Sequence, residues 1–389
     1  MVIPYARQEV TEADIAAVCA VLRSDFLTQG PAVPEFEHAV AAYCGAAHAV
    51  AMNSATSALH LACRALDLGA GDWLWTSPNS FVASANCAHY CGAQVDFIDI
   101  DPATGNLCPT ALAQRLASAS ASNRLPKIVV PVHFAGEPCD LAAIHALAQR
   151  YGFRILEDAS HALGARYQDS QIGDCRYSDI VVFSLHPVKL ITTGEGGLAL
   201  TQDAALAERM RGLRSHGITR DLSAEPSAGA WEYRQVELGY NARLTDLQAA
   251  LGSSQLQRLD AYRDRRHALA ARYDHAFADW PLQRFTRAAT NHSALHLYPI
   301  QVNSRQAVFD QLRAAGIGVN VHYMPIYLQP YYRALGFAPG HCPHAEAYYQ
   351  HAISLPLFPT LSEAQQDQVI AALDQALNTI PAPPVQSTV

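Results

Sequence analysis

The chain has 389 residues, 50% hydrophobic and 16% charged, with 35 acidic against 27 basic side chains and a formal charge of −8. That length predicts two domains at roughly 100–200 residues each, and the apolar fraction excludes a disordered chain. The acidic balance, with no cluster of Lys and Arg free of intervening acids, excludes a nucleic-acid-binding footprint.

The N-terminal MVIPYARQEVTEAD has no apolar core behind a basic start, and no stretch reaches the ~18 apolar residues of a membrane span, which predicts a cytoplasmic protein. The nine cysteines are odd in number and scattered without CxxC pairs, so they read as reduced thiols buried as small hydrophobes. Cys87-Ala-His-Tyr-Cys91 has a metal-like spacing, but no second pair accompanies it and no metal is expected.

Thr11-Glu-Ala-Asp-Ile15 predicts a helix start capped by Thr11, with Ile15, Val18, Cys19 and Leu22 following at helical spacing. The loop Thr28-Gln-Gly-Pro31 leads to a second helix through Glu35–Tyr43. Short apolar runs then alternate with amphipathic stretches. His48–Met52, Trp73–Thr76, Gln94–Ile100, Lys127–His133, Arg154–Leu156 and Ile180–Phe183 read as strands, and Ser57–Leu66, Ala111–Ala117 and Leu141–Tyr151 as helices. The alternation predicts an α/β fold, a mostly parallel sheet with helices on both faces and functional groups at the carboxyl ends of the strands.

Leu198–Thr201 predicts a returning strand, Asp203–Arg214 a helix, and Ser215–Tyr240 a long loop free to move. A long helix, Thr245–His267, carries Leu247, Leu251, Leu256 and Leu259 as its apolar stripe and bridges to a second domain. That domain includes His296–Val302, Ser304–Ala314, Gly318–His322 and a helix from Ser362 to Leu377. The expected division is a large domain over 1–255 with the N-terminal arm, a smaller α+β domain over 256–380, and a disordered proline-rich tail over 381–389.

Three short stretches carry candidate chemistry. Arg154-Ile-Leu-Glu-Asp158 ends an apolar run in two acids, with His161 three residues on. FSLHPVKLITTGEGG sets Lys189 five residues past Ser184 and ahead of a glycine-rich turn. Asn53-Ser-Ala-Thr-Ser57 opens a helix straight after a strand with small hydroxyl residues, leaving backbone N–H groups free. Singly, each has an ordinary reading: a turn cap, a solvated surface lysine, an N-cap. Together they are the three anchors that pyridoxal 5′-phosphate needs. The acid keeps the pyridine nitrogen protonated, the lysine forms the Schiff base, and the helix start takes the phosphate.

With these features the chain resembles the pyridoxal-phosphate-dependent nucleotide-sugar aminotransferases of the DegT/DnrJ type. The resemblance runs from IPYARQEVTEADI and FLTQGPAVPEFE through NSATSALHLA, EDASHALGARY, FSLHPVKLITTGEGG and LRSHGI to LGYNARLTDLQAALG, HLYPI, HYMPIYLQPYY and AISLPLFPTLS. It implies the fold of aspartate aminotransferase, fold type I, with Lys189 as the catalytic Schiff-base lysine and Asp158 at the pyridine nitrogen. His161, where the family often has glutamine, is implied beside the ring hydroxyl. Ser54, Ala55, Thr56 and Ser184 are implied to cradle the phosphate, and Phe81, otherwise plain core, to stack on the ring. Asn241, otherwise a helix start, is implied to reach the phosphate of a neighbouring subunit, making a homodimer with shared sites. Tyr5, Leu27, Thr28, Gln29, His216, His322 and Tyr323 are implied to line the nucleotide-sugar site.

The implied reaction moves an amino group from an amino acid, glutamate in most of the family, to the 4-keto carbon of a UDP-linked 6-deoxy-N-acetylhexosamine. The product is a UDP-4-amino-4,6-dideoxy sugar, as on the pseudaminic acid route, which SPNSFVASANC and SLPLFPTLS resemble most. Leu190 departs from the small residue usual after the lysine, and Lys189 itself argues against the deoxygenating branch that has histidine there. Burial is expected to lower the pKa of Lys189 toward neutrality. The alternatives are a 4-aminotransferase for another dTDP, GDP or UDP keto sugar, and a cofactor-binding regulator without turnover.

Overall fold

A computed structural model of the protein describes residues 2–121, 124–219, 229 and 231–379. The tail expected to be disordered, over 381–389, lies outside the described residues. The first nine strands are β1 (His48–Met52), β2 (Trp73–Thr76), β3 (Gln94–Phe97), β4 (Ile128–Val130), β5 (Arg154–Asp158), the short β6 (Arg166–Tyr167) and β7 (Ser170–Gln171), β8 (Ile180–Ser184) and β9 (Gly197–Thr201). Seven of them form one sheet in the order β1-β9-β8-β5-β4-β2-β3. β3, β2, β4, β5 and β8 are parallel, while β9 runs antiparallel to both β8 and β1. Strands apolar at nearly every position suit a sheet covered on both faces.

The sheet is covered by two apolar clusters. One joins the helices Ala32–Cys44, Pro109–Ser120 and Leu141–Tyr151 through Phe36, Val40, Leu112, Leu116 and Ile144. The other packs Ala55–Ala65 and Ala83–Tyr90 through Leu59, Leu61, Ala85 and Cys87. This is the α/β, fold type I architecture that the sequence predicts.

Several boundaries differ, each for a physical reason. The fourth strand stops at Val130, before Pro131, which cannot donate to the ladder. The fifth runs two residues further than expected, through the acids, because Glu157 and Asp158 are buried and hydrogen-bonded rather than solvated. The predicted long helix is two, Asp246–Leu256 and Leu259–Ala276. At the break, Arg258 leaves helical geometry at φ −108° and ψ 1°, and its guanidinium holds both oxygens of the buried Asp14 at 2.6 and 2.7 Å.

Of the expected apolar stripes on two helices, only Leu259 is fully buried in the core, with Leu256 packed against it. In Asp246–Leu256 the buried side is Asp246, Ala249, Gly252 and Gln255, while Leu247, Leu251 and Leu256 are half-buried. In the first helix, Glu12–Leu22, Asp14 is the buried residue, and Ile15 and Leu22 remain 46% and 57% exposed. Buried polar groups fix these helices to each other: Gln255 donates to Asp14 at 2.9 Å and Ser254 at 2.7 Å. Carboxylates with several fixed donors stay ionised when buried, and Asp14 is held down at about 2 against a desolvation that acts the other way.

Within the stretch read as a long loop, β10 (Ile218–Thr219) and β11 (Arg234–Gln235) pair as an antiparallel ribbon. A third apolar cluster forms around β12 (Leu282–Arg284), β13 (Tyr298–Val302) and β14 (Ala352–Leu355), with the helices Arg305–Ala314 and Glu363–Thr379. The N-terminal arm joins this unit: Ile3 pairs with Ile317 and is buried in its core, and Leu357 donates to the Tyr5 carbonyl at 3.0 Å.

Candidate active site

The carboxyl ends of β1 and β8 meet at one residue. Gly197, the first of β9, pairs with Met52 on one side and Ser184 on the other. A side chain there would not fit, since a Cβ would sit 2.4 Å from the backbone nitrogen of Ala55. The absence of a side chain lets the helix Ala55–Ala65 start directly against the strand ends. Ser54 caps that helix by accepting from the Ser57 N–H at 3.1 Å, and Ser57 donates to Asn53 at 2.7 Å. The N–H groups of Ala55 and Thr56, in the first turn, have no intrahelical acceptor and add to the positive end of the helix dipole. Ser184 stands opposite, its hydroxyl 3.5 Å from the His186 N–H.

β5 lies beside β8, so Asp158 sits level with Val182 at the next strand end. Asp158 is buried, and each of its oxygens has one donor: the Ser160 N–H at 3.1 Å on Oδ1 and the Ser84 hydroxyl at 2.6 Å on Oδ2. Behind it, the buried Glu157 accepts from Ser178 and meets His133 Nε2 at 2.7 Å, while His133 Nδ1 accepts from the Cys139 N–H.

Lys189 follows β8 in a turn closed by its own N–H to the His186 carbonyl at 2.8 Å. Its amine is sheltered, and burial lowers it from 10.5 to about 8, against the attraction of the Asp158 carboxylate. The chain contains only two lysines. The other, Lys127, is held at the Asp67 carbonyl and, at 2.9 Å, the Asp72 carboxylate.

The segment around 322 closes over this floor. Tyr323 donates its hydroxyl toward His161 Nε2 at 3.2 Å, and its own N–H reaches the Asn79 side chain at 3.2 Å. Burial raises the Tyr323 phenol far above its ordinary value, so it keeps its proton and serves as the donor. Burial likewise holds His161 well below its ordinary value, with the charge of Lys189 adding to the effect. A neutral His161 that accepts at Nε2 carries its proton on Nδ1, and that buried atom has no partner among the described residues. His322 is pushed down to about 3 by burial and by Lys189, and it lies 5.3 Å from Tyr5 between ring centres.

The other expected residues are placed less centrally. Phe81, ahead of the helix Ala83–Tyr90, is 61% exposed rather than core. Asn241 is exposed and adjoins the cradle, since the carbonyl of Ala242 accepts from the Asn53 N–H at 2.9 Å. Leu27, Thr28 and Gln29 lie in an exposed loop tied to the Asp246 helix start, where Asp246 donates to Leu27 and accepts from Gly30 at 2.7 Å. His216 is exposed at the foot of the β10–β11 ribbon, where its carbonyl accepts from the Gln235 side chain at 3.1 Å, and among the described residues no hydrogen bond joins it to Lys189 or Asp158. Ser84, Asn79, His296 and Gly197 were missed from sequence. His296 is buried with its ring 4.4 Å from that of His161, and no local signal marks a pairing across so many residues.

These groups fit pyridoxal 5′-phosphate. A helix start with unspent N–H groups suits a phosphate, a carboxylate with fixed donors suits a protonated ring nitrogen, and the orphaned Nδ1–H of His161 suits a ring oxygen. The comparisons with known proteins agree. The chain is 39% identical over 382 residues to spore coat polysaccharide biosynthesis protein SpsC of Bacillus subtilis, covering 95% of this chain and 96% of that one. It superposes on Helicobacter pylori PseC, an aminotransferase involved in pseudaminic acid biosynthesis, with TM-score 0.90 and 32% identity over 98% of this chain and 100% of that one. The putative sugar aminotransferase Spr1654 of Streptococcus pneumoniae, in its PLP-form, gives TM-score 0.88 and 30% identity over 97% of this chain and 99% of the other. With the model of the DegT/DnrJ/EryC1/StrS aminotransferase family matching residues 8–374, this chain belongs to that family and is a pyridoxal-phosphate-dependent sugar aminotransferase.

Proposed function

We propose that the enzyme transfers an amino group from glutamate to the 4-keto carbon of a UDP-linked 6-deoxy-N-acetylhexosamine. The product is a UDP-4-amino-4,6-dideoxy sugar of the pseudaminic acid route. One observation carries the catalytic part: Lys189, one of two lysines in the chain, has its amine lowered to about 8 beside Asp158. An amine of that basicity keeps about a tenth of its molecules unprotonated at pH 7, enough to act as a base. The substrate part is supported by the likeness to PseC.

Bound pyridoxal 5′-phosphate supplies an electron sink that makes the donor's α proton acidic. Lys189 would hold the cofactor through its amine and, once freed by the donor, would be the base that carries the donor's α proton. Asp158 would face the ring nitrogen and hold its proton there, and His161 would offer its Nδ1 proton to the ring oxygen. Ser54, Ala55, Thr56 and Ser184 would hold the phosphate, and Phe81, 61% exposed, would offer its ring to one face of the cofactor. Tyr5, His322 and Tyr323 form the wall toward the sugar, with Leu27, Thr28, Gln29 and His216 further out.

The assembly we propose is a homodimer in which Asn241 reaches the partner's phosphate. Exposed Ile15, Leu22, Phe26 and Leu27 on the first helix and its loop are large apolar side chains left in solvent, which supports it. The proposed units are 1–255, whose N-terminal arm packs onto the second unit through Ile3, and 256–380, and the proposed location is the cytoplasm. Among the described residues no helix is long and apolar enough to cross a membrane.

A second reading is amination of another dTDP-, GDP- or UDP-linked keto sugar, since the 39% identity to SpsC is to a protein named for spore coat polysaccharide biosynthesis rather than for pseudaminic acid. The test is single turnover of glutamate-treated enzyme with a panel of keto sugars. Amination of the UDP-linked N-acetylated 6-deoxy sugar supports the proposal, and amination confined to dTDP or GDP sugars overturns its substrate.

A further inference from the structure

We infer that Ser84 is a positioning residue that, through Asp158, keeps the proton on the cofactor's ring nitrogen. The inference rests on the reading of Asp158 proposed above. Ser84 is fully buried in the first turn of the helix Ala83–Tyr90. Its hydroxyl oxygen has three polar neighbours: Asp158 Oδ2 at 2.6 Å, Ser80 Oγ at 2.7 Å and the Phe81 carbonyl at 3.2 Å.

Counting protons assigns the direction. A serine has one proton to give, and an ionised carboxylate can only accept. The shortest of the three contacts is to Asp158, so Ser84 donates there and accepts from Ser80, making a chain Ser80 to Ser84 to Asp158. The Ser160 N–H serves the other carboxylate oxygen at 3.1 Å. Asp158 is also fixed through its backbone, with its carbonyl accepting from the His133 N–H at 3.2 Å. The carboxylate therefore meets the ring with its orientation set.

Donors to a carboxylate favour its charged form and weaken it as a base. A weaker base leaves the shared proton on the pyridine nitrogen, which is the state that withdraws electrons. Removing the Ser84 donor takes one of the two donors from the charged carboxylate and draws that proton toward it. Ser84 and Phe81 stand three residues apart on one turn, so the same turn that offers a ring surface also sets the acid at the ring nitrogen.

The test uses holoenzyme carrying pyridoxal phosphate labelled with nitrogen-15 in the ring. In Ser84→Ala the ring-nitrogen resonance should move toward the unprotonated position. kcat should fall about tenfold, as for loss of a hydrogen bond to a charged group. The isotope effect with α-deuterated glutamate should rise, the KM for the keto sugar should hold, and Ser84→Thr should restore the resonance. Ser80→Ala should shift it less in the same direction and serves if Ser84→Ala takes up no cofactor. A wild-type resonance in both alanine variants, with Asp158→Asn displacing it, overturns the role of Ser84 alone. A resonance unmoved by Asp158→Asn overturns the reading of Asp158, and the role of Ser84 with it.

Discussion

Replacing Lys189 with methionine keeps most of the side chain's length and removes its charge, and the structure gives the size of the effect on the cofactor-free protein. The amine titrates at 10.5 ordinarily and at about 8 in the folded site, with burial as the larger cause. At ~1.36 kcal/mol per pKa unit this gap is about 3 kcal/mol of stability that the protonated amine costs the fold. Residual solvent at the open side of the residue makes that an upper limit. Between the two values the unfolded chain holds more protons than the folded one, so wild-type stability rises with pH across that window. The cost is fully present below about 8 and gone above 10.5. Urea unfolding of the cofactor-free proteins at matched concentration should find Lys189→Met more stable by up to about 3 kcal/mol at pH 7 and by under about 1 kcal/mol at pH 10. A variant less stable than wild type at pH 7, or a difference that does not shrink with pH, would refute the account of a strained, charge-burying site.

Two further substitutions separate cofactor binding from folding. Gly197→Ala would place a Cβ 2.4 Å from the Ala55 nitrogen. Titration should show affinity for pyridoxal phosphate reduced tenfold or more, about 1.4 kcal/mol, with a smaller loss for pyridoxal, which lacks the phosphate. Phe81→Ala removes a ring that is 61% exposed, so the unfolding free energy should stay within about 0.5 kcal/mol of wild type, while cofactor affinity drops severalfold.

The parallel strands were legible because runs such as Ile180–Phe183 are apolar at every position, and the site's anchors because they fall at the ends of those runs. Helix Ala83–Tyr90 was not, since its buried side is Ala83, Ser84, Ala85, Cys87 and Ala88, small residues that give no periodic contrast. The stripe on Asp246–Leu256 misled because the buried side there is small or polar, Ala249 and Gly252 with Asp246 and Gln255, the two polar groups each held by groups from the N-terminal third of the chain. For the same reason Ser84 could not be tied to Asp158, 74 residues away. The stretch Ser215–Tyr240 holds a two-residue ribbon that is too short to leave a pattern.

With two lysines in the chain, the central claim has a direct test. Holoenzyme reduced with borohydride, digested and read by mass spectrometry should carry the pyridoxyl group on the peptide containing Lys189. The group on Lys127, or no lysine-bound group at all, would contradict the account.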